Sequence, residues 1–245
     1  MGPLAEAGNL PIQTTLRGPA SVYTHLMIDL VKHWPPKRLK LAEASEIPTL
    51  TCLSTENEKY YVGVEHFLKI QAPLERVFAV VSDVDHYQSL FPGFEQVKIL
   101  EQNQNLWTIL WEQTIPVFFI PNVKYETYYL IQREKNRTFI RMQLKNSTKI
   151  NHTDGLITLE SRGGATLYTE YDFFDADYGI LKTLAPGRIW KDPVEAMFLS
   201  DLAVRFKSEN PGLSYADITK KTKAVLAKFP LEAILKKRES AQSLK

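Results

Sequence analysis

Few residues in this chain have the type and spacing that chemistry needs. His66 is the one histidine on an apolar strand face, with Val62, Val64, Leu68 and Ile70 at every second position around it. A histidine so placed is either a hydrogen-bonded core residue or an acid–base group. His25, His33, His86 and His152 show no metal-ligand spacing, such as a pair three residues apart on one helix face. Cys52 is the single cysteine, which rules out an intramolecular disulfide and a cysteine zinc site, and no base partner accompanies it. Asp83 and Asp85 could share acid–base work only in a site that drives their pKa values apart, and their place beside a turn marks them as capping or turn residues. No glycine-rich phosphate loop follows a strand, and no Gly-x-Ser-x-Gly elbow occurs. The expectation is therefore no catalytic residue, no metal and no cofactor.

Large aromatics are the other conspicuous set. Trp107, Trp111, Tyr125, Tyr129, Tyr171 and Phe173, with Met142, fall on the apolar phase of alternating segments. They either line a pocket, with tyrosine hydroxyls as polar anchors, or fill a core. Between Pro116 and Pro121 the chain places Val117, Phe118, Phe119 and Ile120 where a hairpin tip is normally polar. This is an apolar lip that closes a cavity mouth or touches a membrane, or else a bent strand end buried by a neighbour. Gly179, Pro186 and Gly187 make the segment from Gly179 to Arg188 a second candidate gate, or an ordinary connection.

The elements that must position these residues are legible as periodicities. After the strand ending at Ile70, Pro73 suits a first helical position, and Leu74, Val77, Phe78 and Val81 form an i, i+3, i+4, i+7 stripe. Six alternating segments follow. One side carries Val97 and Ile99; Trp107, Ile109 and Trp111; Val123, Tyr125, Thr127, Tyr129 and Ile131; Ile140, Met142 and Leu144; Gly155, Ile157 and Leu159; and Leu167, Thr169, Tyr171 and Phe173. Breaks at Asn103–Asn105, Lys135-Asn136 and Gly163-Gly164 suit hairpin turns. The pattern describes an antiparallel meander with one apolar face and one wet face.

Something must cover the apolar face. The candidate is a helix capped by Asp192, with Pro193 first and Glu195 completing a capping box, running to about Lys207 with Val194, Phe198, Leu202 and Phe206 along one side. A further helix starts at Ser214, with Asp217 as its box partner. Residues 1–57 read as a proline-broken extension with one helix over 21–34, and residues 209–245 as a helical extension with a basic tail.

The 245 residues carry 30 basic and 28 acidic side chains, a net charge of +2. That balance argues against nucleic acid as a partner. No run approaches the roughly 20 apolar residues of a membrane-spanning helix. Met1–Asn9 lacks the basic start and apolar core of a signal peptide. The compartment stays open between cytoplasmic and exported with a signal already removed, and so does the oligomeric state.

The stretch APLERVFAVVSDVDHYQSLFPGFEQVKILEQ, residues 72–102, resembles the helix-grip superfamily of START domains, polyketide cyclases and coenzyme-Q-binding proteins. It looks like that family's first helix, the turn at Asp83, Asp85 and Tyr87, the Phe91-Pro92 corner and the next strand. The resemblance covers roughly residues 58–208. It implies an α+β helix-grip fold: a curved antiparallel sheet of about seven strands wrapped around a long C-terminal helix, with an apolar cavity between them. His66, Trp107, Trp111, Tyr125, Tyr129, Met142, Tyr171, Phe173, Phe198 and Leu202 are then the candidates to line it.

The expected partner is a hydrophobic small molecule such as a lipid, quinone or sterol, with a transient membrane contact at the lip. Two other classes compete. A ligand-free interaction domain would have a filled cavity and an exposed lip. A cyclase or aromatase would need an acid or base within ~3 Å of a substrate proton, for which His66, Tyr125 and Tyr171 are the candidates.

Overall fold

The structure, a computed structural model, describes residues 48–54, 62–91, 93–114, 122–176, 179, 188–228 and 239–240. The expected helix at 21–34, the lip at 117–120 and most of the segment 179–188 lie outside these residues.

Local sequence sets the first turn of the chain around the core. Strand β2 (Val62–Ile70; β1 is given below) leads into helix α1 (Leu74–Val81). Pro73 is the cap of α1 and Leu74 its first residue, one position from the expectation. Leu74, Val77 and Val81 are buried. Each such side chain stabilises the fold by roughly 1.5–3 kcal/mol. The helix ends where the Ser82 amide and hydroxyl both turn back to the Phe78 carbonyl. A 3₁₀ turn (Val84–His86) and the short α2 (Tyr87–Leu90) follow. The Tyr87 hydroxyl donates to the Val81 carbonyl, which fixes this corner.

Six strands form the meander: β3 (Phe94–Asn103), β4 (Leu106–Gln113), β5 (Val123–Arg133), β6 (Arg137–Ser147), β7 (Ile150–Arg162) and β8 (Ala165–Ala176). The β7–β8 turn is Gly163-Gly164 with φ of 59° and 88°. Positive φ at both central residues is the type I′ requirement that favours glycine. β8 returns to pair antiparallel with β2, giving the order β3-β4-β5-β6-β7-β8-β2. The seven-strand antiparallel sheet is as expected. It does not stop there, because β1 (Thr49–Ser54) pairs antiparallel with β2, and β9 (Glu239–Ser240) pairs parallel with β1. The boundary expected at 57/58 therefore falls inside the sheet.

The sheet curves around helix α3 (Arg188–Glu209), and α4 (Tyr215–Lys228) packs behind it. Helix α3 begins at Arg188, four residues before the expected cap at Asp192, so Pro193 sits in its second turn. Ser214 does cap helix α4, its Oγ accepting from the Asp217 amide at 3.2 Å and its hydroxyl donating to the Asp217 carboxylate at 2.6 Å. Among the described residues no helix is long and apolar enough to cross a membrane.

One expectation is corrected here. The convex face is not wet throughout, because Phe67, Gln143, Asp154, Thr169, Tyr171 and Phe173 are all buried on it. Around β2 and β8 the sheet is buried on both sides.

Candidate functional site

The strand registers determine which side chains share the inner face. Starting from Leu68 and Ile70, which pack with Val77 and Val81 of α1, pairing carries that face across the sheet. It includes Tyr168, Glu170 and Asp172 on β8; Gly155, Ile157 and Leu159 on β7; Ile140 and Met142 on β6; Thr127, Tyr129 and Ile131 on β5; and Trp107, Ile109 and Trp111 on β4. Trp107, Trp111, Tyr125, Tyr129, Met142 and His66 thus lie on the inner face.

Tyr171 and Phe173 do not. They pair with Glu65 and Gly63 and sit on the opposite face. Alternation divides a strand into two phases without saying which is inner, and both phases of β8 carry aromatics. Phe198 and Leu202 of α3 are buried, and Asp201 and Val204 of the same helix meet the inner face.

The inner face has two unlike regions. On β4 and β5 it is an aromatic wall. Trp111 is hemmed in by Phe94, Tyr87, Tyr129 and a stacked Tyr125, with ring centroids 5.2 to 6.2 Å away. Its indole N–H donates to Thr127 Oγ1 at 2.7 Å, so Trp111 is a fixed pillar. Trp107 differs: its buried indole N–H has no hydrogen-bond acceptor among the described residues.

On β2, β8 and α3 the interior is charged. His66 Nδ1 lies 2.9 Å from Asp201 Oδ2, and both side chains are fully buried. Glu170, opposite His66 in the register, receives the Tyr168 hydroxyl hydrogen bond. Asp172 is next along the same face. One oxygen of Glu170, one of Asp201 and a nitrogen of His66 lie within 4.8 Å of one another. Gly155 makes room beside them. A Cβ there would stand 2.3 Å from Met142 Cε and 2.8 Å from Asp172 Oδ1.

Electrostatics follow from this crowding. Burial pushes the His66 pKa down, yet the Asp201 carboxylate, with Glu170 and Asp172, outweighs it and holds the imidazole at about 9. Burial raises Asp172 to about 6 against the opposing pull of His66. Burial, then the Asp172 charge, hold Glu170 well above the ordinary carboxylate range. Burial likewise raises Asp201, offset by His66. Burial raises the tyrosines of the wall, Tyr125 and Tyr129.

Asp83 is separate from this cluster. It bonds the His86 ring at 2.8 Å and the Tyr215 hydroxyl at 3.4 Å, a turn residue that ties α4 to the corner.

Residues 70–173 match the family model described as polyketide cyclase / dehydrase and lipid transport. The fold is shared with a STAR-related lipid transfer protein of Xanthomonas axonopodis, at a TM-score of 0.54 and 14% identity over 68% of this chain and 96% of that one. It is shared also with human STARD10, at 0.52 and 14% identity over 84% and 88% of the two chains. The fold is the START-like helix-grip fold. No curated protein matches the chain in sequence. At 14% identity the structural likeness speaks for the fold, so what the domain does must come from its own inner face.

Sequence reasoning missed Tyr168, Glu170, Asp172 and Asp201. A signal for Asp201 existed: in Met197–Ser208 it occupies the sheet-facing stripe with Val204. The acids of β8 carried none, since they alternate with Tyr171 and Phe173 as outward residues would.

Proposed function

We propose that the domain binds a small apolar ligand between the sheet and helix α3. The observation that carries this reading is residual accessibility on the inner face. Met142, Leu144, Glu170 and Asp172 point inward, yet each is only half-buried. A core packed to native density leaves such residues no accessible surface. The aromatic wall on β4 and β5 supplies apolar contact area, and the unpartnered Trp107 N–H offers one donor. The lipid-transport description of the matched family supports the same reading. The charged cluster would face the polar end of the ligand, and the wall its apolar body.

The test is native mass spectrometry of freshly purified protein, followed by organic extraction. A defined adduct that disappears on extraction is the expected result. A clean protein mass, together with no thermal shift on adding quinones, sterols or phospholipids, overturns the reading.

A further inference from the structure

The charged cluster holds more than a structural clip requires. Pinning α3 to β2 needs only the His66–Asp201 hydrogen bond. That bond leaves His66 Nε2 and Asp201 Oδ1, both on fully buried side chains, without a hydrogen-bond partner among the described residues. A buried polar atom left unmade costs about 1–3 kcal/mol, so two in one cluster mark a place where something is accommodated. Glu170 adds a third ligating group from another strand. His66 is the one cation among the described groups that shift Glu170, Asp172 or Asp201. Three carboxyl groups crowd one imidazole here, and buried charges are paired or coordinate metals.

We propose that His66, Glu170 and Asp201 form a binding site for a first-row divalent cation. Imidazole nitrogen with two carboxylate oxygens is a donor set that suits zinc, iron and cobalt. Bonds of about 2.0–2.2 Å place neighbouring donors roughly 3 Å apart. His66 Nδ1 and Asp201 Oδ2 stand 2.9 Å apart, and one ligand atom from each of the three residues lies within 4.8 Å of the other two. The ion takes one donor from each of the three residues, and the unpartnered His66 Nε2 and Asp201 Oδ1 are available to it. Glu170 needs a side-chain adjustment only, and its half-buried position gives it the freedom to make one. A dication, two carboxylates and a neutral imidazole sum to zero charge, which a low-dielectric interior favours. Three protein ligands leave a fourth position for water or a ligand atom, the arrangement of open sites. The site stands on this cluster alone and is independent of what the aromatic wall binds.

The experiment uses tag-free, full-length protein stripped with chelator and titrated with Zn2+ by calorimetry and with Co2+ by visible absorption. Mg2+ and Ca2+ serve as controls. The expected result is one equivalent of Zn2+ or Co2+, with Mg2+ and Ca2+ weak or silent. Glu170→Gln and Asp201→Asn, both isosteric, are expected to weaken binding by more than about 100-fold, since even outer-shell changes cost 10–100-fold. Asp172→Asn is expected to leave the stoichiometry at one. X-ray absorption at the zinc edge of the unmodified protein, showing one imidazole and carboxylate oxygens, reads the site without any variant. No uptake of Zn2+ or Co2+, or unchanged affinity in a folded Glu170→Gln protein, overturns the proposal.

Discussion

Nδ1 of His66 lies 2.9 Å from Oδ2 of Asp201, across a gap of 135 residues in the chain. One is on the second strand and the other on the helix that closes the core, so this bond ties the two ends of the domain together. Removing one partner of a buried pair strands the other. Asp201→Ala is expected to destabilise metal-free protein by about 3–5 kcal/mol. Replacing both, as His66→Leu with Asp201→Leu, is expected to cost clearly less. Urea denaturation of the three proteins makes the comparison, and equal losses in the single and double variants would contradict it.

The same pair sets a pH dependence. The His66 pKa is raised from 6.5 to about 9 on folding, so its contribution is fully present below pH 6.5 and is lost as pH rises through 9. Asp172, raised to about 6, acts in the same direction at lower pH: its protonated form is favoured in the fold, and that contribution is lost as pH rises through 6. Asp201, Glu170 and Asp172 are the groups that act on the imidazole. In chelator-treated protein the urea midpoint is expected to fall between pH 6.5 and 9, the opposite of the rise a salt-bridged, low-pKa acid produces. The rise in the His66 pKa bounds the effect at roughly 3–4 kcal/mol. A His66→Asn protein should lose most of the slope over this interval. A flat profile in the unmodified protein would show that the imidazole is not held charged.

Gly155 is where the inner face is tightest. Gly155→Ala places a Cβ 2.3 Å from Met142 Cε and 2.8 Å from Asp172 Oδ1. Met142 can swing its flexible end away, but the carboxylate must also move. The expected loss is about 1–3 kcal/mol, with weaker retention of any bound apolar ligand. A thermal melt and a mass spectrum of the variant check both parts. An unchanged melting temperature would mean that the inner face is looser than these distances imply.

Trp111 owes its orientation to one hydroxyl. Thr127→Val keeps the shape of the side chain and removes the acceptor 2.7 Å from the indole N–H. The stranded donor is expected to cost about 1–3 kcal/mol. Trp107→Phe removes an N–H that has no acceptor among the described residues, so unliganded protein should lose only the apolar contact of the smaller ring. The contrast between two tryptophans on one strand, read by equilibrium unfolding, separates a structural indole from one available to a ligand.

Much of this architecture is local and therefore readable in the chain. Alternation over β4 and β5 placed Trp107, Trp111, Tyr125 and Tyr129 on one face, because a period of two cannot be satisfied otherwise when that face is buried. The stripe Leu74, Val77, Phe78 and Val81 marked α1, and Gly163-Gly164 marked the tight turn, for equally local reasons. What the chain did not reveal depends on pairing. Tyr171 and Phe173 are as apolar as any inner pair, yet the register of β8 against β2 turns them to the convex face and brings Glu170 opposite His66. The joining of β1 to the sheet edge is another pairing decision that local pattern does not encode. Asp201 becomes a partner of His66 only once α3 lies against β2. Sequence by itself determined the elements and the aromatic wall; tertiary structure alone decided that three carboxylates and an imidazole meet inside it, because electrostatic proximity belongs to spatial neighbours and has no period along a chain.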